Sequence, residues 1–401
     1  MKGPFKAVKI SEHAYWVGAI DWAIRDFHGY HTERGTTYNA YLVLGDENIL
    51  IDTVKAPFKD ELLGRVASVI DLKKISYIIS NHSEMDHSGC LPDVIAAIGP
   101  KKVYASVMGT KALAEHFGLG NITPVKDGDS LTLGGLKFSF LETRMLHWPD
   151  SMVTFLSEDN LLFSQDAFGM HLASSERFAD EIDDAVMVWE AKKYFANILM
   201  PYSNIIPAAL KKVGDTGFDI KIIAPDHGPI WRRNIDTIPK LYPIWAAQKP
   251  AMKAVVAYDT MWQSTAFMAK AISEGLASGG VDVKLMNLRS SHRSDVATEI
   301  LDAGAFVVGS PTINNQMFPT VADTLIYLKG LKPKNLIGAA FGSHGWSGEA
   351  VGQIEEILKG MHVELVAEGL KTVYVPTGDT LEKCAALGKQ VADKLREISG
   401  K

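Results

Sequence analysis

The segment His82-x-Glu84-x-Asp86-His87 places four potential metal ligands within six residues. His82, Glu84 and Asp86 occupy alternate positions, so in an extended loop their side chains would point to one side. Burying such a cluster without a metal would leave several charges and hydrogen-bond donors unpaired, which costs free energy. The spacing therefore predicts one short loop that supplies ligands to two adjacent metal ions.

Three further potential ligands each follow a predicted strand, namely His147, Asp166 and His227. Each alone would more often be a solvated or structural residue, and it is the nearby cluster that makes them candidates. The combined set has imidazoles and carboxylates but no thiolate, which suits iron or manganese at least as well as zinc. Cys90, beside the loop, is expected to be a small buried residue and not a ligand.

Short strands and turns dominate the first part of the chain and must position these ligands. A hairpin is predicted from two apolar runs around a Gly-Asp-Glu turn, and a helix is predicted to begin near Pro92. The predicted strands are Tyr38 to Leu44, Asn48 to Thr53, Ile75 to Ser80, Lys137 to Leu141, Met152 to Leu156, Asn160 to Phe163 and Lys221 to Ala224. Polar side chains thus gather where strands end.

A regular alternation of strands and helices begins after Ala246–Pro250. We therefore predict a first domain over residues 1–249 and a second over residues 250–401. The predicted strands of the second domain are Lys253 to Tyr258, Val281 to Met286, Ala305 to Gly309, Asn335 to Phe341 and Thr372 to Val375. Strands at this spacing predict a doubly wound parallel sheet that binds ligands beyond the carboxyl ends of its strands.

Three loops at those carboxyl ends carry small and hydroxyl-bearing residues. The loop Asp259–Thr265 leads into a helix, whose N-terminal N–H groups can bind an anion, although a polar helix cap explains such a loop equally well in isolation. The loops Gly309–Asn315 and Phe341–Gly348 would let the backbone approach a flat ring, on which Trp346 could stack. An ATPase P-loop is disfavoured by the lack of its GxxxxGK[ST] motif, and NAD binding by the lack of GxGxxG.

Composition narrows the class of protein further. The 401 residues are 47% hydrophobic and 22% charged with a net charge of −6, which is typical of a globular protein without the basic surface of nucleic-acid binders. No signal peptide or long apolar run is apparent, so we expect a soluble, cytoplasmic protein. Two cysteines exclude a disulfide framework, a four-cysteine metal site and an attached rubredoxin module.

The ligand pattern resembles that of the metallo-β-lactamase superfamily, and specifically its flavodiiron proteins. The resemblance extends through Arg25–Tyr30, Gly35–Ala40 and Leu146–Met152. In the hydrolases of the superfamily the position of Glu84 is normally histidine, and glutamate marks the iron-binding variant. The resemblance implies an αββα sandwich in the first domain and a non-haem diiron site.

Carried over by position, the resemblance assigns a role to each ligand. His82, Glu84 and His147 would bind one iron, Asp86, His87 and His227 the other, and Asp166 would bridge them. His28 and His171 match catalytic pocket positions near the two irons, where they could donate protons or hydrogen bonds; surface or structural histidines are the alternative. Family members often carry paired tyrosines at Tyr194-Phe195, so Phe195 departs from the pattern.

The second domain is similar to flavodoxins from Lys253 to about Leu395. The similarity implies that the three loops hold FMN, with the first loop at its phosphate and the other two around its isoalloxazine ring. The implied phosphate-end residues are Thr260, Trp262, Ser264 and Thr265, and the implied ring residues are Pro311, Thr312, Asn314, Gly342 and Trp346.

The resemblance implies an oxidoreductase that passes electrons from rubredoxin or a similar donor through FMN to the irons. Dioxygen would be reduced to water, or, alternatively, nitric oxide to nitrous oxide. Coenzyme F420 serves as donor in some relatives, and a head-to-tail homodimer or homotetramer is expected, which brings one chain's FMN against its partner's diiron site. A remote alternative is a zinc-dependent hydrolase with a flavodoxin-like module, which Glu84 argues against.

Overall fold

The computed structural model describes residues 4–400, which form two compact units. The first unit consists of Thr32–Tyr194 and Asn204–Tyr242 together with the chain up to His28. The second consists of Gly29–His31, Phe195–Ser203 and the chain from Pro243 onward. The division into domains at residue 249 stays a prediction.

Sixteen strands and seven α-helices precede residue 249 in the described chain. The strands are β1 (Val8–Lys9), β2 (Ala14–Trp16), β3 (Ala19–Asp21), β4 (Asp26–Phe27), β5 (Tyr30–His31), β6 (Thr36–Tyr38), β7 (Tyr41–Val43), β8 (Asn48–Ile51), β9 (Ile75–Ser80), β10 (Lys102–Ser106), β11 (Ile122–Val125), β12 (Ser130–Leu133), β13 (Leu136–Glu142), β14 (Met152–Leu156), β15 (Leu161–Gln165) and β16 (Ile222–Pro225). The helices are α1 (Lys59–Ala67), α2 (Met85–Ser88), α3 (Leu91–Ile98), α4 (Val107–Phe117), α5 (Asp184–Tyr194), α6 (Ile206–Asp215) and α7 (Thr237–Ala247).

Two sheets form the centre of the first unit. One has seven strands in the order β1-β2-β7-β8-β9-β10-β11, and the other has five in the order β12-β13-β14-β15-β16. Fully buried aromatic side chains such as Tyr41, Phe138 and Phe163 fill the space between the sheets. Apolar residues of α1, α3 and α4 cover the outer face of the seven-stranded sheet, and Val213 of α6 packs on the other. This arrangement is the expected αββα sandwich.

Local sequence explains where the covering helices begin and end. Pro92 lies in the first turn of α3, where its missing N–H is no loss, and Gly99 ends that helix with φ +69°. Ser106 caps α4 because its hydroxyl accepts a hydrogen bond from the Gly109 N–H. The chain can therefore turn back sharply between β9, α3, β10 and α4.

The second unit is built around a parallel sheet. Its elements are β17 (Lys253–Tyr258), α8 (Ser264–Ser278), β18 (Asp282–Asn287), α9 (Arg293–Ile300), β19 (Ala305–Gly309), β20 (Thr312–Ile313), β21 (Gln316–Met317), α10 (Pro319–Leu331), β22 (Ile337–His344), α11 (Glu349–Gly360), β23 (Glu364–Leu365), β24 (Leu370–Val373) and α12 (Gly378–Ile398). The sheet order is β18-β17-β19-β22-β23, with β24 also paired to β22. Helices α8 and α12 pack together on one face, and α9, α10 and α11 lie on the other. The sheet is doubly wound, as predicted.

Most predicted strands coincide with observed ones. The strands at Ile75–Ser80, Met152–Leu156, Lys253–Tyr258 and Ala305–Gly309 have the predicted bounds. The final strand lies earlier than predicted, because Tyr374 adopts φ +55° and the extended chain must end at Val373. Among the described helices, none combines the length and apolar character needed to cross a bilayer.

Candidate metal centre and loop cleft

The loop after β9 is anchored by a buried asparagine. Asn81 donates from its backbone N–H to Asp52 Oδ1 at 2.7 Å and from Nδ2 to Asp52 Oδ2 at 2.8 Å. Thr154 on β14 donates to Asn81 Oδ1 at 2.6 Å. These bonds tie the loop to both sheets, so His82 begins from a fixed backbone position.

The expected extended loop is only partly correct. The chain turns into α2 at Met85, directly after Glu84, so Asp86 lies on a helix. The side chains therefore do not continue to alternate between two sides of an extended chain after Glu84. The turn directs Asp86 and His87 toward a second group of ligands, while His82 and Glu84 face the first.

The first ligand group consists of His82, Glu84, His147 and Asp166. Glu84 Oε2 lies 3.2 Å from Nε2 of both His82 and His147. Asp166 Oδ2 lies 3.1 Å from His147 Nε2 and 3.4 Å from His82 Nε2. Separations of this size are the edges expected around a metal whose ligands lie about 2 Å away.

The second ligand group consists of Asp86, His87 and His227. Asp86 Oδ2 lies 3.2 Å from His87 Nε2 and 3.1 Å from His227 Nε2. Asp166 Oδ1 approaches this group, at 3.3 Å from His87 Nε2 and 3.6 Å from His227 Nε2. The two oxygens of Asp166 thus face different ligand groups, which is the placement required of a bridging carboxylate.

Buried groups behind the ligands hold their rings in place. His82 Nδ1 lies 3.3 Å from Asp150 Oδ2, which also accepts from the Ser83 N–H at 2.6 Å. His227 Nδ1 lies 2.6 Å from the Thr37 carbonyl oxygen. Such contacts direct Nε2 of each histidine toward the metal position.

Electrostatics in the site favour charged carboxylates. Burial opposes ionisation of Glu84 and Asp86, but hydrogen bonds and charges of neighbouring histidines hold the pKa of both carboxyls below their usual range. His147 has its pKa raised to about 9, because hydrogen bonds to Asp166 and Glu84 outweigh its burial. Protons held between these groups would be displaced by metal ions.

The residues fit metal ions on independent grounds. Within the described chain, Asp86 Oδ1, Asp166 Oδ1 and His87 Nε2 are buried, and despite the short contacts given above they form no hydrogen bond of good geometry. Leaving such atoms unsatisfied costs free energy unless a metal binds them. The set has four imidazoles and three carboxylates and no sulfur ligand, since Cys90 is buried elsewhere as predicted.

Both pocket histidines lie at the site, in different environments. His28 Nε2 is 2.8 Å from Glu84 Oε1, and this hydrogen bond raises the pKa of His28. His171 is buried, with Nδ1 2.9 Å from Thr36 Oγ1, and burial together with His227 lowers its pKa well below the usual value. His171 is therefore a neutral imidazole at neutral pH.

Aromatic rings complete the pocket: Phe27 lies in the matched segment Arg25–Tyr30 and Tyr194 at the paired-tyrosine position, but neither was among the predicted site residues. The ring of Phe27 lies 5.2 Å from that of His171 and 4.1 Å from that of His28. Tyr194 is buried with its ring 5.1 Å from His171, whereas Phe195 packs against Trp245 in the second unit. Periodicity offered no signal for Phe27 or Tyr194, since buried aromatics are common in any core.

The carboxyl edge of the second unit's sheet carries a cleft of about 620 Å³, which we call the loop cleft. Its lining residues are Met261, Trp262, Ser264, Pro311, Thr312, Asn314, Asn315, Ser343, His344, Gly345, Trp346, Ser347, Tyr374 and Val375. The side chains of Trp262, Trp346 and Tyr374 are largely exposed at its rim. A cleft of this size with aromatic walls suits a flat ligand of cofactor size.

Three of the predicted FMN residues do not line the loop cleft. Thr265 is buried and bonded to Ser343 Oγ at 2.9 Å. A Cβ on Gly342 would lie 2.2 Å from the Ser310 carbonyl oxygen, so Gly342 is required for strand packing behind the cleft. Thr260 is also buried in the loop between β17 and α8, and within the described chain its hydroxyl has no hydrogen-bond partner.

The sequence analysis also missed residues of the loop cleft. Tyr374 and Val375 come from the chain after β24, which the sequence pattern assigns to a strand. His344, the last residue of β22, lies between two predicted residues of the third loop, Gly342 and Trp346. An aromatic residue at the end of the fifth predicted strand was the available signal for Tyr374.

The two units define a class of protein: a metal-dependent enzyme with an αββα sandwich and a flavodoxin-like unit. Comparison with known proteins agrees with this class. Residues 36–228 match the ODP family beta lactamase model, and residues 256–388 match the flavodoxin model.

Relatives match nearly the whole chain. A nitric oxide reductase of Moorella thermoacetica is 46% identical, covering 97% of this chain and 99% of that protein. A rubredoxin-oxygen oxidoreductase of Megalodesulfovibrio gigas is 44% identical, covering 98% of both. A coenzyme F420H(2) oxidase of Methanothermobacter marburgensis is 40% identical, covering 97% of this chain and 99% of that protein.

Solved structures give the same result. The rubredoxin oxygen:oxidoreductase of Desulfovibrio gigas superposes with a TM-score of 0.95, at 44% identity over 98% of this chain and 99% of that one. The flavodiiron protein of Giardia intestinalis gives 0.93, at 33% identity over 99% and 98%. The chain belongs to the flavodiiron family. It is an oxidoreductase whose cofactors are FMN and a non-haem diiron site.

Proposed function

We propose that this protein takes electrons from rubredoxin or a similar small carrier and reduces dioxygen to water. The observation that carries the proposal is the placement of Asp166, whose two carboxylate oxygens face the two ligand groups. Two metal positions sharing one carboxylate can act together on a diatomic substrate. Relatives named for oxygen and for nitric oxide reduction support the class of reaction.

The proposed ligands are those that the structure brings together. His82, Glu84 and His147 would hold one iron and Asp86, His87 and His227 the other, with Asp166 between them. When bound, FMN supplies two-electron exchange with a donor, and iron supplies the redox chemistry that side chains lack.

The protein's own residues have separate tasks around the substrate. The neutral imidazole of His171 can offer one hydrogen bond, while His28, whose pKa is raised by its hydrogen bond to Glu84, can donate to a carboxylate or to a reduced oxygen atom. The rings of Phe27 and Tyr194 pack against His171 and give the pocket an apolar wall. We propose that these four residues control proton delivery at the metal centre.

For the FMN, we propose that Thr260, Trp262 and Ser264 lie at the phosphate end. Pro311, Thr312, Asn314 and Trp346 are proposed to frame the ring, with Tyr374 added from the structure. Thr265 and Gly342 would act indirectly, by fixing the backbone of the cleft walls. Replacing Thr260 by valine should weaken FMN binding several-fold, because a buried hydroxyl is lost from the loop that leads into α8.

Nitric oxide reduction is the second candidate, because the relative from Moorella thermoacetica carries that name at 46% identity. The experiment uses one anaerobically purified, iron-loaded sample with the same reduced rubredoxin for both gases. Faster dioxygen consumption without peroxide supports the proposal, and faster nitric oxide consumption replaces it. Activity with neither gas, together with bound zinc and hydrolytic activity, would favour the hydrolase.

Because a relative at 40% identity is named a coenzyme F420H(2) oxidase, coenzyme F420 is a second candidate electron donor, and reduced F420 is assayed alongside reduced rubredoxin.

We also propose a head-to-tail homodimer or homotetramer as the active form. Assembly is tested by dilution, with mass measured alongside turnover. A monomer that retained full turnover would contradict the dimer.

A further inference from the structure

His344 is the side chain of the loop cleft that carries our inference. It is the last residue of β22, and its carbonyl oxygen accepts a 2.7 Å hydrogen bond from the Tyr374 N–H. The preceding hydroxyl, Ser343 Oγ, bonds to Thr265 Oγ1 of α8. Because side chains alternate along a strand, His344 points away from α8, and it forms part of the cleft lining.

The ring of His344 is held by packing. A Cβ on Gly348 would lie 3.1 Å from His344 Cδ2 and 3.2 Å from Nε2, so a larger residue there would crowd the imidazole. The Cβ position of Gly345 lies 3.3 Å from the ring of Tyr374. The imidazole of His344 therefore packs against the backbone of the turn Gly345–Gly348, which restricts the orientation of the ring.

The polar atoms of the ring are not matched by protein groups. Within the described residues, His344 Nδ1 is buried and has no hydrogen-bond partner. The nearby carboxylate of Glu349 is bonded elsewhere: its Oε2 accepts from the Gly348 N–H at 3.1 Å. A buried, unpaired ring nitrogen is costly, and a ligand in the cleft can supply its partner.

We propose that His344 donates a hydrogen bond to a polar edge atom of the FMN ring and thereby favours reduced over oxidised FMN. The inference rests on FMN binding in the loop cleft. Reduction at neutral pH adds two electrons from the donor and one proton from water, which leaves one negative charge on the ring. A fixed N–H donor stabilises that charge more than it stabilises the neutral oxidised ring.

Two variants of the full-length protein test the inference. His344→Leu keeps the size of the side chain and removes the donor, whereas His344→Asn keeps a polar atom close to the Nδ1 position. The dissociation constants of oxidised and chemically reduced FMN are measured anaerobically for both, and the flavin midpoint potential is measured by spectral titration. By linkage, the ratio of the two constants and the potential must change together.

For His344→Leu we expect reduced FMN to lose about tenfold more affinity than oxidised FMN, equivalent to a potential about 30 mV lower for two electrons. His344→Asn should stay within about threefold of the native ratio. Met261→Leu changes a cleft residue that lacks a donor, and it should leave the ratio unchanged.

An unchanged ratio in His344→Leu would overturn the inference. Equal weakening of both forms would also overturn it, since that result means that His344 only shapes the cleft. Should leucine impair folding, His344→Phe gives the same comparison without a donor. Failure of the native protein to bind FMN would instead contradict the proposed function itself.

Discussion

The Nε2 atom of His28 lies 2.8 Å from Oε1 of Glu84, while Glu84 Oε2 faces His82 and His147. One carboxylate oxygen of Glu84 therefore faces the other ligands of the first group, and the second oxygen is bound by His28. His28 itself has φ +59°, a backbone conformation that costs free energy for a residue other than glycine. The contact suggests that His28 positions Glu84 as well as serving the pocket.

Removing this contact should weaken the first metal position. We expect His28→Leu to lower iron retention about tenfold, with gas turnover falling as a consequence, because the carboxylate loses the hydrogen bond that orients it. His28→Gln can still donate to Glu84 and should recover most of the loss. Both variants keep a non-glycine residue at positive φ, so they bear similar backbone strain.

Iron per chain under chelator competition and gas consumption are the two measurements. Native values of both in His28→Leu would remove this role for His28. A loss of turnover with normal iron content would place its action on the substrate and not on Glu84.

Asp150 should matter for iron although it is not a proposed ligand. Its Oδ2 accepts from the Ser83 N–H and faces His82 Nδ1, so it fixes the ring that presents Nε2 to the metal. Asp150→Asn should reduce iron affinity about 10- to 100-fold. Chelator titration of the iron-loaded protein measures the change.

The matched control for Asp150 is Asp159. Asp159 Oδ1 pairs with His13 Nδ1 at 2.5 Å, away from both ligand groups. Asp159→Asn removes the same charge from an aspartate–histidine pair and should leave iron affinity within about twofold of native. Similar losses in both variants would mean that the effect on iron is not specific to His82.

Helices α8 and α12 approach so closely that a methyl group cannot be added at Gly388. A Cβ there would lie 2.1 Å from the Ile272 carbonyl oxygen. Gly388→Ala should lower the free energy of unfolding by about 1–3 kcal/mol, because the two helices must move apart. Gly352 on α11 has no atom within 4 Å of its Cβ position, and Gly352→Ala should instead stabilise by about 0.5–1 kcal/mol.

Denaturant unfolding followed by circular dichroism compares these two glycine variants. The same substitution is made within a helix in both, so helix propensity is matched. Equal effects on stability would contradict the close approach of α8 and α12.

Glu190 predicts a pH dependence of stability. It is buried and accepts from Arg34 Nε at 3.0 Å, and burial raises its pKa from 4.5 to about 7. Between these values the folded state binds more protons than the unfolded state, so the stability contributed by this group falls as pH rises from 4.5 to 7. Glu190→Gln cannot titrate and avoids this loss.

The measurable quantity is the stability of Glu190→Gln minus that of the native protein. It should increase by roughly 1–3 kcal/mol between pH 4.5 and pH 8. Unfolding is measured at both pH values on samples of equal iron and FMN content. A difference that stays constant with pH would show that folding does not raise the pKa of Glu190.

Sequence analysis found the proposed ligands because metal ligands at strand ends leave a local signature. His82, Glu84, Asp86 and His87 lie within one loop, and His147, Asp166 and His227 follow strands that the pattern predicted. The pattern places each of these residues after a strand, but the strands belong to two different sheets, so only the fold shows that their ends meet.

The resemblance had already divided the ligands between two groups, and the fold gives the physical reason for that division. Alternation along an extended loop would have kept Asp86 with His82, and the helical turn at Met85 separates them. The supporting residues Asp52 and Asp150 are single carboxylates in the sequence. They act on the ligand loop through contacts that join segments about 30 and 70 residues apart.

The sequence by itself determined the ligand types, the alternation of strands and helices, and the three loops of the second unit. These features depend on hydrophobic period and on chemistry local to a few residues. The tertiary structure decided which oxygen of Asp166 faces which ligand group, that His28 reaches Glu84, and that His344 and Tyr374 line the loop cleft. Those relationships depend on backbone turns and on packing between distant segments, which no local pattern specifies.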